Sequence, residues 1–225
     1  MAPTYMCRFP GSNYPTARAA PFSLRKGARL TSAEPQLDDP KASLRTEALS
    51  RRAKVQQADR ADAARAAASH FLSSVAPEPG QVIALYWPIR DEIDCKPLLT
   101  RLMDDGHQVC LPVVIDDDQP LELRLWLAGQ PLYPSGFGTL APPEDAPLAV
   151  PDIVVIPLLG FDRTGTRLGY GKGFYDRTLA GMEHKPLVVG YAFAAQELPF
   201  IPREEHDIPL DILVTEDGAI RFEDA

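Results

Sequence analysis

The sequence predicts an α/β fold with an open, mainly parallel sheet flanked by helices. Near-continuous Val/Ile/Leu runs recur along the chain, the form taken by strands that are covered on both faces. Helical patterns and Pro/Gly-rich connections separate these runs, which is the alternation of a parallel sheet. Two stretches dense in charged, aromatic and glycine residues directly follow strand-like runs, where sheets of this kind bind their ligands.

The elements read as follows. DPKASLRTEALSRRAKVQQADRADAARAAASHFLSSV, starting at Asp39, reads as helix, with Asp39 as cap and Pro40 at the first position. Leu44, Ala48, Leu49, Val55, Phe71 and Leu72 give it an apolar stripe, with a break between two helices expected around Ala58 to Asp62. Pro77, Pro79 and Gly80 end the helical region. VIALYW (82–87), HQVCLPVV (107–114), LELRLWL (121–127), IVVIPLL (153–159) and LVVGYAF (187–193) read as strands. Helices are expected over 95–104 and 173–182, and DILVTEDGAIRF (211–222) as a closing strand and turn.

Composition narrows the function. Of 225 residues, 45% are apolar and 24% charged, which is ordinary for a globular protein. The formal charge of −8 argues against nucleic acid or an anionic membrane as partner. No apolar run approaches the roughly 18 residues needed to span a bilayer. Cys7, Cys95 and Cys110 are few, odd in number and scattered, so no disulfide framework is expected and a reducing, cytoplasmic setting is. His107 and Cys110 share a strand without a second ligand pair and read as structural. The first 33 residues hold Arg8, Arg18, Arg25, Lys26 and Arg29, while every acid lies beyond them. Residues 1–38 are therefore expected to be a disordered extension, or alternatively a mitochondrial transit peptide, ahead of a single domain over 39–225.

The segment RLGYGKGFYDR, Arg167 to Arg177, carries the chemistry. It is not a Walker loop, because Gly173 follows Lys172 where Ser or Thr is required and Thr166 stands at the first glycine position. It is not a dinucleotide fingerprint either, because Phe174 occupies the third glycine position. The physics of an anion site remains. Glycines 169, 171 and 173 let backbone N–H groups converge on one anion, a helix starting near Gly173 adds its dipole, and Arg167 and Lys172 add charge. Asp176 cannot bind bare phosphate but suits Mg²⁺ bridging phosphate oxygens, so the pattern points to a metal–nucleotide complex. The plainer reading is a flexible β–α connection.

GFDRTGTRLGYGKGFYDR resembles the signature of the 5-formyltetrahydrofolate cyclo-ligase family, and KASLR (41–45), YWPIRDEID (86–94) and HDIPLD (206–211) resemble further family segments in order. The resemblance covers about 40 to 220. Phe174 stands where the family more often has Tyr, and Ala141 precedes Pro142 where a Glu is frequent. The resemblance implies a Rossmann-like (NagB/RpiA/CoA-transferase-like) fold. It also implies ATP- and Mg²⁺-dependent closure of 5-formyltetrahydrofolate to 5,10-methenyltetrahydrofolate by a monomer whose ligands are a small folate and ATP.

Carried over residue by residue, Lys41, Arg45 and Arg167, Leu168, Gly169, Tyr170, Gly171, Lys172, Gly173, Phe174 and Tyr175 would hold ATP, with Lys172 and Arg167 catalytic. Asp176 and Asp207 would hold Mg²⁺. Trp87, Glu92, Tyr170 and Phe174 would meet the folate. Taken singly, Lys41 and Arg45 suit a solvated helix face, Glu92 a helix start, Trp87 the core and Asp207 a turn. Another ATP-dependent ligase or kinase, or a non-catalytic nucleotide or sugar-phosphate sensor, would use the same scaffold.

Overall fold

The computed structural model describes residues 40–222; the expected Asp39 cap and the basic N-terminal segment lie outside them. Helix α1 spans Ala42–Ala53 and α2 spans Arg60–Ser74. The break between them falls before the expected position, and Arg60 is the reason. From the start of α2 its guanidinium donates to the carbonyls of Arg52 (2.9 Å) and Val55 (3.3 Å), satisfying acceptors that a helix end leaves open. Helix α2 buries Ala63, Ala64, Ala67, Ala68 and Phe71; these small side chains let it pack on α3 and on the last two strands.

The remaining elements are β1 (Val82–Ala84), α3 (Lys96–Asp104), β2 (Gln108–Val113), β3 (Glu122–Trp126), β4 (Tyr133–Pro134), β5 (Leu140–Ala141), β6 (Ile153–Pro157), β7 (Gly160–Phe161), β8 (Arg167–Leu168), α4 (Phe174–Ala180), β9 (Leu187–Tyr191), β10 (Ile212–Thr215) and β11 (Gly218–Arg221). The main sheet runs β11-β10-β9-β6-β1-β2-β3. Every pairing from β10 through β2 is parallel, and β11 and β3 close the two edges antiparallel. The expected α/β architecture with a mainly parallel sheet is therefore present.

Side-chain alternation shows how the sheet is covered. Ile83, Ile153, Val155, Val189, Ile212 and Val214 enter one apolar cluster together with α2 and α3. Their neighbours Ala84, Val154, Ile156, Val188 and Leu213 enter another, which includes Leu179 of α4. Successive strand residues point to opposite faces, so each apolar run serves two cores at once.

Strand β1 is shorter than the run Val82–Trp87 suggested. Leu85 still donates to the Cys110 carbonyl, but the chain then folds back. The Tyr86 hydroxyl donates to the Ile93 carbonyl and the Cys95 thiol donates to the Tyr86 carbonyl, each at 2.7 Å. Pro88 offers no N–H to extend the ladder. Strand β6 likewise ends at Pro157. From β1 the chain crosses through α3 to β2 on one side, while β6 flanks β1 on the other. The carboxyl ends of β1 and β6 thus form the switch point at which an open sheet binds ligands.

Gly190 of β9 permits close packing. A Cβ there would lie 2.6 Å from Leu210 and 2.9 Å from Leu158. Gly190→Ala should lower unfolding free energy by about 1–3 kcal/mol, read as a reduced urea midpoint with an unchanged slope.

Candidate active site

One cavity lies at this switch point, and every residue expected in a site lines it: Lys41, Arg45, Trp87, Glu92, the whole stretch Arg167 to Asp176, and Asp207. Four parts of the chain bring them together, one of them the segment between β9 and β10 that carries Asp207. The start of α1 supplies Lys41 and Arg45, the loop after β1 supplies Trp87 and Glu92, and the β8–α4 connection supplies the glycine-rich stretch.

That connection is held at its base by Asp162, to which the sequence assigned no role. Its carboxylate is buried and accepts the N–H groups of Thr164, Thr166 and Ile201 and the Thr164 hydroxyl. It pins the turn between β7 and β8, so that Arg167 leaves the hairpin aimed at the cavity. Further on, Gly171 and Gly173 have φ of +89° and +65°, a region costly for residues with a Cβ. Space is short there as well. A Cβ on Gly171 would lie 3.1 Å from the Arg45 guanidinium, and one on Gly173 2.9 Å from that of Arg177. Gly169 serves differently, its carbonyl accepting from Arg45 Nε at 3.0 Å. Helix α4 begins at Phe174, with Gly173 as its cap.

The cations around the cavity have acceptors. Lys41 Nζ lies 2.5 Å from Asp207 and 3.2 Å from Glu204. Burial disfavours its charge, but the hydrogen bonds to the two carboxylates outweigh this and raise its pKa above the ordinary lysine value. For Asp207 burial pushes upward, yet the Glu204 N–H and Lys41 hold its carboxyl below the usual range. Arg167 Nη2 lies 2.5 Å from Asp176 Oδ1, which also accepts the Ile208 N–H. Lys172 reaches Asp117 at 2.7 Å, and Arg177 donates to the carbonyls of Lys172 and Asp117. Arg167 Nη1 is buried and has no hydrogen-bond partner among the described residues. A donor of this kind on a cavity wall fits an anionic ligand oxygen.

The expected metal carboxylates both line the cavity, but they sit in different ion pairs. Asp207 joins Glu204 and His206 in a set whose ligand atoms lie within 4.8 Å of one another, and Asp176 is not part of that set. Hard oxygen donors beside a glycine-rich, cation-lined loop fit Mg²⁺ chemistry.

The cavity lining is also apolar and aromatic, in part through the glycine-rich loop itself. Trp87 meets Trp126 edge to face at 6.0 Å, so Trp126 is core rather than lining, and Tyr133 is exposed. Phe137, on the turn between β4 and β5, meets Tyr170 and Phe174 edge to face at 5.5 and 6.3 Å. Phe137 itself has φ +60°, an uncommon conformation for a bulky residue. Glu92 accepts the Ile89 N–H at 3.0 Å, and burial raises its pKa to about 7.

Sequence reasoning missed Arg52, Asp91, Asp117, Phe137, Asp162 and Glu204. One signal was available for Arg52. It follows Leu44 and Ala48 at four-residue steps, and an arginine continuing an apolar stripe marks a buried cation.

A switch-point cleft that combines a glycine-rich, cation-lined loop with aromatic side chains and a buried carboxylate marks the chain as an α/β protein of the ligand-binding class. The particular family follows from comparison with known proteins. The model of the 5-formyltetrahydrofolate cyclo-ligase family matches residues 38–216, and the chain belongs to that family. It is 34% identical over 178 residues to the 5-formyltetrahydrofolate cyclo-ligase of Haemophilus influenzae, covering 76% of this chain and 95% of that one. The corresponding protein of Mycolicibacterium smegmatis is 33% identical, with 78% and 93% covered. The solved structure of Aquifex aeolicus 5,10-methenyltetrahydrofolate synthetase superposes with a TM-score of 0.71 at 30% identity, covering 82% of this chain and 94% of that one.

The Glu92 shift predicts a pH effect. Its carboxyl ionises near 4.5 when unexposed to the fold and near 7 within it, so between these values the folded state holds more protons and stability falls as pH rises. Above about 7 this loss is complete, on the order of 3 kcal/mol. Glu92→Gln should remove it, gaining stability on the wild type between pH 5 and pH 8 in urea denaturation; parallel pH profiles would refute the assignment.

Proposed function

We propose that this protein closes 5-formyltetrahydrofolate to 5,10-methenyltetrahydrofolate with consumption of ATP, releasing ADP and phosphate. The observation that carries the reading is the double character of a single cavity. It combines a cationic, glycine-rich loop, whose Arg167 has an N–H without a partner among the described residues, with aromatic side chains and Glu92. Family membership supplies the two reactants that suit these two kinds of lining.

In this reading the formyl oxygen attacks the terminal phosphorus of ATP and ADP leaves. N10 then attacks the activated carbon, and its proton and the phosphate depart. The chain's task is positioning and charge stabilisation. Lys172 and Arg167 face the transferring phosphoryl group, Lys41 and Arg45 hold the other phosphates, and Leu168 to Tyr175 wrap the nucleotide. Trp87, Tyr170 and Phe174 flank the pterin, whose N–H edge suits the Glu92 carboxylate. Asp176 and Asp207 would hold Mg²⁺, which when bound neutralises phosphate charge. A polyanion arriving at Lys41 and Arg167 would compete with the very carboxylates that hold them, freeing those carboxylates for the cation.

Purified protein given 5-formyltetrahydrofolate, Mg²⁺ and ATP should develop the methenyl chromophore, with ADP appearing in equal amount. Omitting either ATP or metal should abolish the signal. An ATP-induced thermal shift without chromophore would keep the anion site and reject the substrate. Lys172→Ala is the cleanest variant because its partner Asp117 is exposed, a pairing worth little to stability. It should lower kcat by about 10²–10³ at an unchanged melting temperature. Asp176→Ala is less clean, since Asp176 also holds Arg167 and the Ile208 N–H.

A further inference from the structure

Arg52 is fully buried in a helix that otherwise presents Ala48 to the interior. One nitrogen makes its side-chain hydrogen bonds. Nη2 donates to Asp91 Oδ1 at 2.5 Å and to the Tyr170 hydroxyl at 2.9 Å. Asp91 adjoins Glu92 on the loop after β1, and Tyr170 lies in the middle of the glycine-rich loop. The two N–H groups of a single nitrogen therefore reach both walls of the cavity. The other nitrogens, Nε and Nη1, have no hydrogen-bond partner among the described residues. A buried guanidinium satisfied at one nitrogen is costly, and packing does not account for it, since an apolar side chain would fill the same space at less cost.

The surroundings hold this arrangement in place. Arg60 donates to the Asp91 carbonyl at 2.7 Å and to the Arg52 carbonyl at 2.9 Å, fixing donor and acceptor together. The Tyr170 ring lies 5.9 Å from the Arg52 guanidinium carbon and 5.1 Å from that of Arg90. Arg90 itself is held at φ +53°, a conformation that persists only where its surroundings impose it.

We infer that Arg52 is a positioning residue that sets the spacing between the two substrate-bearing loops, linking the Glu92 side of the cavity to the nucleotide side through Asp91 and Tyr170. Arg52 does not line the cavity, so it acts through those two residues. The inference rests on the cyclo-ligase reading for what the spacing is used for: two bound reactants must meet within attack distance, and a small error in their separation slows the reaction steeply.

Amide hydrogen exchange of the full chain tests the link without requiring turnover. Asp91→Asn should quicken exchange in peptides covering 167–175, and Tyr170→Phe in peptides covering 86–94, each by about threefold or more. Changes confined to the loop that carries the substitution would overturn the inference. Arg52→Met should quicken both loops; because it removes a buried cation its melting temperature is recorded alongside, and the two milder variants decide the matter if it does not fold. In turnover, Asp91→Asn and Tyr170→Phe should be non-additive by about threefold or more in kcat, with KM for each substrate little changed, and additive when combined with Arg52→Met. Additivity in the wild-type background would count against the link. A wild-type chain without turnover would instead reject the cyclo-ligase reading and leave the exchange measurement to decide on Arg52.

Discussion

Cations gathered around one cavity repel each other, and the site depends on how that repulsion is offset. Lys41, Arg52, Arg167 and Lys172 each meet a carboxylate, from Asp207 and Glu204, Asp91, Asp176 and Asp117 respectively, and Arg45 bonds the Gly169 carbonyl. Without these acceptors, burying Lys41, Arg52 and Arg167 would carry a desolvation cost that no nearby apolar contact could offset. The acceptors come from four separate stretches of chain, so the same bonds that neutralise the charges also assemble the walls.

The pairs differ in kind. Arg52–Asp91 has its cation fully buried and lies outside the cavity lining, acting as fixed framework; Arg167–Asp176 also has a buried cation, but both of its members line the cavity. Lys172–Asp117 is exposed on both sides and is easily exchanged for another anion. Lys41 stands between, buried but facing two carboxylates of which Glu204 is well exposed. Framework therefore lies behind the cavity lining and adjustable charge on it, the arrangement needed by a site that must stay shaped while it admits a polyanion.

The sheet makes this possible by leaving a gap at its switch point. Strand β1 ends early because Tyr86, Cys95 and Ile93 fold the chain back, and β6 ends at Pro157. Both events clear the space above Ala84 and Ile156. The β7–β8 hairpin, pinned by Asp162, then delivers the glycine-rich loop into it. Gly171 and Gly173 suit it because the backbone there takes positive φ, which residues with a Cβ adopt only at a cost, and the Arg45 and Arg177 guanidinium groups pack close against both.

The strands of the main sheet, their order of appearance, the double covering of the sheet and the glycine-rich loop were legible in the sequence, because apolar periodicity and glycine spacing are local properties of the chain; the two-residue strands of β4–β5 and of the β7–β8 hairpin were not, being too short to show a period. The site residues drawn from the family motifs also meet in one cavity. Sequence did not reveal which carboxylate would hold which cation. Asp162 and Asp91 stood within quoted motifs without a role of their own, and Arg52 and Asp117 were given none; Asp162 proves to be the anchor of a turn. Their roles depend on pairings between residues far apart in the chain, and on whether burial makes such a pairing necessary. Burial is a property of the packed structure, so a charged side chain and its partner are chosen only when the helices, the sheet and the loops have closed around them.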